Sequence, residues 1–140
     1  MKVLQKIQIE VTSTLNALDR ILLQFEQIYQ DFIPQQDWLQ CRLAMAEGFT
    51  NAVRHAHKNL PEETIVKIEI LLTRANIEIL IWDWGEAFDL HKFITQTSQK
   101  HHNWLNSGRG IPLLVKIADC LEYHRLGSRN CLLIVKKIGK

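Results

Sequence analysis

Glu47, Asn51 and His55 sit at i, i+4 and i+8 in the stretch Ala44-Met45-Ala46-Glu47-Gly48-Phe49-Thr50-Asn51-Ala52-Val53-Arg54-His55-Ala56-His57. On a helix that spacing makes one row of carboxylate, amide and imidazole. A carboxylate takes a proton from a hydroxyl, and an amide oxygen one turn on ligates a hard cation such as Mg²⁺. The plainer reading stands beside this. Trp38, Met45, Phe49, Ala52 and Ala56 form the apolar stripe of the same helix, and the Glu/Asn row lies nearly opposite. By periodicity alone that row is a solvated face.

Two further places carry candidate chemistry. Asp83 shares the parity of Ile77, Ile79 and Ile81, so a continuing strand points its carboxylate to the same inward face, where it needs a hydrogen-bond donor. The alternative is a strand already ended, with Asp83 opening a turn with Gly85. Gly108-Arg109-Gly110 precedes Ile111-Pro112 and the apolar series Leu113, Leu114, Ile117 and Leu121. Proline suits a first helical turn, and two glycines before a helix leave backbone N–H groups open to an anion. A lone Gly-x-Gly is also what an ordinary tight turn looks like. His91, His101 and His102 invite a metal reading, but no Cys or carboxylate completes a ligand set.

The elements that must position these groups follow from periodicity. Lys2 to Val11 alternates as a half-buried strand. Thr12-Ser13-Thr14 offers an N-cap to a helix carrying Leu15, Leu18, Ile21, Leu22, Phe25, Ile28 and Tyr29. Asp31 to Pro34 breaks it, and a second helix begins at Gln35 and is expected to end near Lys58-Asn59, before Pro61. Thr64–Thr73 and the alternating run from Ile77 to Trp82, turned at Arg74-Ala75-Asn76, read as an antiparallel hairpin. Glu86 to Asn106 is irregular and long enough to read as a flap over a ligand. Leu121–Leu126 and Cys131–Ile138, joined around Gly127-Ser128, make a second hairpin. The order β-α-α-β-β-(flap)-α-β-β predicts a two-layer α/β sandwich, with a mixed, mostly antiparallel sheet and helices on one face.

Composition narrows the class. A chain of 140 residues is most simply one domain, residues 1–140, with a real core. The formal net charge of +2 comes without a long basic run, so a phosphate-tracking nucleic-acid surface is not expected. The apolar runs are strand-length, which argues against a membrane span. Three cysteines, Cys41, Cys120 and Cys131, have no C-x-x-C spacing and suit reduced thiols in a cytoplasm.

Taken in order, these signals bring a family into view. Ala46-Glu47-Gly48-Phe49-Thr50-Asn51-Ala52-Val53-Arg54-His55-Ala56 resembles the N box of the GHKL (Bergerat-fold) ATP-binding proteins. Asp83-Trp84-Gly85-Glu86-Ala87-Phe88-Asp89 resembles their first glycine box, and Gly108-Arg109-Gly110-Ile111 their second. The Glu-x-x-x-Asn-Ala-x-x-His-Ala version, with no phosphoacceptor helix pair ahead of it, is most similar to the anti-sigma factor serine kinases. The resemblance implies an ATP site with Mg²⁺. Asp83 would accept the adenine amino group, Gly85 would let backbone approach the base, and Asn51 would ligate the metal. Gly108 and Gly110 would offer N–H groups to the phosphates, Arg109 would add charge there, and His55 and Phe88 would border the nucleotide. Exposure in solvent is the alternative for Arg109, and packing between helices for His55. Glu47 would deprotonate a serine hydroxyl of a protein substrate. The implied partners are a STAS-type anti-sigma antagonist, a sigma factor held in the free state, and a second copy in a homodimer. An ATP-responsive sequestering module without transfer is the alternative of a different class; retention of Glu47 favours the kinase. Trp84 stands where many relatives carry Asn, and Ala87 where a second glycine is common. The strand Asn130-Cys131-Leu132-Leu133 lacks the Thr that often supports the adenine-binding Asp through water.

Overall fold

The computed structural model describes residues 2–90 and 111–139. Strand β1 (Gln5–Thr12) leads through a 3₁₀ turn (Leu15–Ala17) into helix α1 (Leu18–Glu26), followed by helix α2 (Gln35–Asn51). Strands β2 (Ile65–Leu72) and β3 (Asn76–Asp83), helix α3 (Ile111–Ile117), and strands β4 (Cys120–Leu126) and β5 (Arg129–Lys137) complete the described order. The strands lie in one sheet in the order β1-β2-β3-β5-β4, and all four pairings are antiparallel. The mostly antiparallel sheet with helices on one face is therefore present, with no parallel pair among the described strands.

Period-two alternation does what it must. In β2 and β3, Val66, Ile68, Ile70, Leu72, Ile77, Ile79 and Ile81 are buried against the helices. The alternate residues Lys67, Glu69, Glu78 and Trp82 turn to the other face and stay half-exposed. The β2–β3 turn is held by the Thr73 hydroxyl oxygen, which accepts the N–H groups of Ala75 and Asn76 at 3.1 and 3.0 Å. Helix α1 drops Ile21 and Phe25 into the core, and the Phe25 ring stacks on Trp38 of α2 at 4.2 Å. Such a pair contributes about 0.5–1.5 kcal/mol beyond its burial, enough to fix how two short helices meet. Glycine at position 48 lets α2 lie close to the sheet, where Ile81, Leu132 and Ile134 are its nearest neighbours.

Three sequence expectations change. The 12–14 segment gives no side-chain cap to the first helical turn: Thr14 occupies the capping position, but its side chain makes no capping hydrogen bond. Ser13 is instead buried, for a reason given below. Helix α3 stops at Ile117, and Leu121 belongs to β4 rather than to a helical series, because the Asp119 N–H is already taken by the Val135 carbonyl of β5 at 2.8 Å. Strand β5 begins at Arg129, two residues ahead of the Cys131–Ile138 run, and so takes in Asn130 as a paired residue.

Cys41 and Cys131 are buried, and that burial pushes their thiols up to about 12 and about 11, so both behave as small apolar side chains. All three cysteines are free. Among the described residues no helix is long and apolar enough to cross a membrane.

Candidate functional site

The candidate site is assembled where the end of α2 meets the end of β3. Helix α2 does not stop cleanly after Asn51. It widens into a π turn over Ala52–Ala56, closed by the His57 N–H donating to the Ala52 carbonyl at 2.8 Å. Single π turns inside helices recur at functional sites, because the wide turn redirects side chains that a regular helix would hold in line. Here it has two effects. The wide turn departs from regular helical pitch at His55, so the Glu47, Asn51 and His55 row is not that of a regular helix. It also turns His57, one residue past the turn, into the interior, where it is 3% exposed.

Asn51 is not on a solvated face. It is 4% exposed, and its Oδ1 has no hydrogen-bond partner among the described residues. Leaving a buried amide oxygen unpaired costs about 1–3 kcal/mol. A buried amide oxygen of this kind suits a hard cation, for which the residue fits as a ligand. Glu47, one turn earlier, is half-buried, as is His55.

Asp83 resolves both halves of its sequence ambiguity. It is the last residue of β3, with the inward parity of the isoleucines, and it also opens a turn: its Oδ1 accepts the Gly85 N–H at 2.8 Å. The carboxylate is 2% exposed and does not lack donors. Oδ1 also accepts from Asn130 Nδ2 at 2.8 Å, and Oδ2 accepts the Tyr123 hydroxyl at 3.0 Å. A carboxylate has about four lone-pair sites. Three protein donors leave room on Oδ2 for one more, which is where a ligand amino group would fit. The inward carboxylate expected to need a donor therefore already has three protein donors.

The support around Asp83 comes from residues that sequence reasoning did not single out. Asn130, wholly buried, lies opposite Asp83 in the β3–β5 register. Besides Asp83, its Nδ2 reaches the carbonyls of Gly85 and Glu86 at 3.1 and 3.0 Å. Arg125 Nη1 donates to the Gly85 carbonyl at 2.7 Å and to Asn130 Oδ1 at 3.1 Å. A direct amide therefore braces the Asp. The signal was present as Asn130 in an inward-parity position, but nothing local says that β5 pairs with β3. The Phe88 ring lies 5.5 Å from that of Tyr123, placing Phe88 beside the same carboxylate network.

Gly85 has a steric reason. A Cβ there would lie 2.5 Å from the carbonyl oxygen of Ala56, the last residue of the π turn. The same junction is tied by His57, whose Nε2 accepts the Trp84 N–H at 2.8 Å while its Nδ1 lies 3.0 Å from Ser13 Oγ. Because Trp84 supplies a donor, Nε2 carries no proton, so the Nδ1–H donates to Ser13. Burial lowers the pKa of this ring from its ordinary 6.5, with Asp83 pulling the other way. Neither His57 nor Ser13 was separable by sequence from the helix and cap around it.

The structure thus brings Asn51, His55, Asp83, Gly85 and Phe88 to one end of the α2–β3 layer, with Glu47 one turn back along α2. Gly108, Arg109 and Gly110 lie outside the described residues, as do His91, His101 and His102 and most of the expected flap. Among the described residues no group of three or more His, Cys, Asp or Glu is arranged to hold a metal.

Comparison with known proteins agrees with this architecture. The family described as the histidine kinase-like ATPase domain matches residues 11–136. The serine-protein kinase RsbW of Oceanobacillus iheyensis is 40% identical over 60 residues, a match covering 43% of this chain and 37% of that protein. The crystal structure of the RsbU and RsbW domains of Rv1364c from Mycobacterium tuberculosis superposes with a TM-score of 0.67 at 12% identity. That superposition covers 96% of this chain and 32% of the other, and at this identity it speaks for the fold.

Proposed function

The chain belongs to the histidine kinase-like ATPase domain family, and from that premise we propose that it is an ATP-dependent serine/threonine protein kinase. The observation that carries the reading is the buried Asn51 Oδ1, without a partner among the described residues, one helical turn from the Glu47 carboxylate. Asp83 would read the base through its remaining lone pair on Oδ2, held in aim by Asn130 and Tyr123. Asn51 would hold Mg²⁺, which when bound neutralises charge on the phosphates. Gly108, Gly110 and Arg109 would meet those phosphates. Glu47 accepts the proton of a substrate hydroxyl as its oxygen bonds to the γ-phosphorus. The bond from that phosphorus to the β–γ bridging oxygen breaks, and ADP leaves. Phosphoryl transfer asks mainly for positioning and charge neutralisation, so few side chains suffice.

The similarity to RsbW supports a place in a partner-switching circuit in the cytoplasm. The protein substrate would be a STAS-type anti-sigma antagonist, with a sigma factor as a second partner. A homodimer would use the sheet face that carries no helices, where Leu71, Leu80, Leu133 and Val135 are half-buried. An ATP-responsive binding module without transfer is the second reading; Glu47 beside the metal-ligand candidate favours the kinase.

The test is incubation with labelled ATP, Mg²⁺ and candidate STAS proteins, followed by location of the labelled residue. Glu47→Ala is expected to keep Mg-ATP binding and lower transfer at least a hundredfold, the usual scale of a general base. Asn51→Ala is expected to weaken Mg-ATP binding more than metal-free ATP binding. Label on no partner hydroxyl, with nucleotide bound, favours the binding-module reading.

A further inference from the structure

His57 ties together three parts of the fold. Its own backbone closes the π turn through Ala52. Its Nδ1–H reaches Ser13 at the β1–α1 junction, and the Ser13 N–H in turn donates to the Glu62 carbonyl in the loop before β2, at 2.9 Å. Its Nε2 takes the N–H of Trp84, the residue between Asp83 and Gly85. Trp84 is 47% exposed, with the Arg129 guanidinium 5.7 Å over its ring, and on this side its backbone N–H is held by the imidazole. On the other side Asn130, Arg125 and Tyr123 hold Asp83 and the Gly85 carbonyl.

We propose that His57 is a positioning residue for the nucleotide site: its neutral ring, by accepting the Trp84 N–H, sets the Trp84–Gly85 backbone and with it the aim of the Asp83 carboxylate. The π turn is what makes this possible. In an ordinary α turn the Ala52 carbonyl would be closed by the N–H of residue 56, whereas the wide turn closes it with that of His57. A second proton on the ring places an N–H against the Trp84 N–H, donor against donor, and undoes the tie. The charged group acting on the ring from β3 is Asp83; the β1–α1 junction meets it with the uncharged Ser13 hydroxyl, and Arg54, His55 and Lys58 are its charged or titratable neighbours along the chain. The inference rests on the reading that Asp83 and Gly85 take an adenine nucleotide.

Gln and Asn separate the two bonds of the ring. In His57→Gln the amide oxygen falls near the position of Nε2 and still accepts from Trp84; in His57→Asn the amide falls near Nδ1 and can meet only Ser13. Affinity for ADP and ATP, measured by calorimetric titration at pH 7.5, is expected to stay within about threefold of wild type in the Gln variant. It is expected to fall about tenfold in the Asn variant, the effect of one buried hydrogen bond, with a smaller preference for ATP over GTP. As pH falls below 6.5, wild-type affinity is expected to drop more than that of His57→Gln, whose comparison removes the titration of the nucleotide itself. The amide signal of Trp84 in nitrogen–proton spectra reports the tie without ligand and should move in the Asn variant and hold in the Gln variant. Equal affinity of the two variants, or a pH profile unchanged by Gln, overturns the inference while the nucleotide reading stands. A folded wild type that takes no adenine nucleotide overturns that reading, and the inference with it.

Discussion

Replacing Asn130 by Ala removes the amide that braces the candidate base-reading carboxylate, and the loss can be worked from its contacts. The amide nitrogen lies 2.8 Å from Asp83 Oδ1, 3.1 Å from the Gly85 carbonyl and 3.0 Å from that of Glu86, and the amide oxygen accepts from Arg125 at 3.1 Å. Two N–H groups serve three acceptors, so two good bonds are the most the nitrogen makes. The bond to the carboxylate is worth about 1.5–3 kcal/mol, and a neutral one about 1 kcal/mol. Because Asn130 is wholly buried, no water replaces the lost donor without opening the sheet. Together these give a destabilisation of about 2.5–4 kcal/mol, a large share of the roughly 5–15 kcal/mol that holds a domain folded. For a domain of this size that lowers Tm by about 10–15 °C. Differential scanning calorimetry at neutral pH is the assay. A fall of less than about 3 °C refutes the reasoning, since it would mean that Asp83 finds its donors elsewhere. A second variant sharpens the point. Asn130→Asp sets a carboxyl group against Asp83, and the two cannot both ionise there. Its deficit relative to wild type should therefore exceed that of the Ala variant at pH 7 and shrink as acid supplies the shared proton.

The other expectations concern the same junction. In Asp83→Asn the amide oxygen must face Gly85 and Asn130, which leaves the NH₂ toward Tyr123 and the base. A donor then meets the adenine amino group and suits the guanine carbonyl, so ATP affinity should fall about 10–100-fold and the preference for ATP over GTP should shrink or invert; an unchanged ratio by calorimetric titration would count against the base-reading role. Gly85→Ala and Gly48→Ala form a contrast. The first drives a Cβ to 2.5 Å from the Ala56 carbonyl oxygen, a backbone atom, and should cost about 2 kcal/mol or more in chemical denaturation. The second meets the far end of the Ile81 side chain, which can turn aside, and gains about 0.5–1 kcal/mol from helix propensity, so its net change should stay within about 1 kcal/mol. Equal costs at the two positions would show that the close approach at Gly85 is not what holds the loop.

Much of this molecule is written locally, and local writing is what a sequence shows. The alternation of Val66 to Leu72 and Ile77 to Asp83 fixed the hairpin, because a strand buried on one face has no other way to sort its side chains. Glu47 and Asn51 were visible as neighbours one helical turn apart, and Asp83 as an inward carboxylate in need of a donor. What the donor would be was not visible. Asn130 lies 47 residues away, and it reaches Asp83 only because β5 inserts between β3 and β4, a pairing that no period in the sequence specifies. The π turn was equally hidden, since periodicity assumes a constant pitch, and with it the burial of His57 just beyond the turn. Sequence by itself determined the elements, their faces and the residue types able to do chemistry. The tertiary structure decided which polar groups are buried together, because the cost of an unpaired buried donor or acceptor is settled only when distant strands and the helix end are brought into contact.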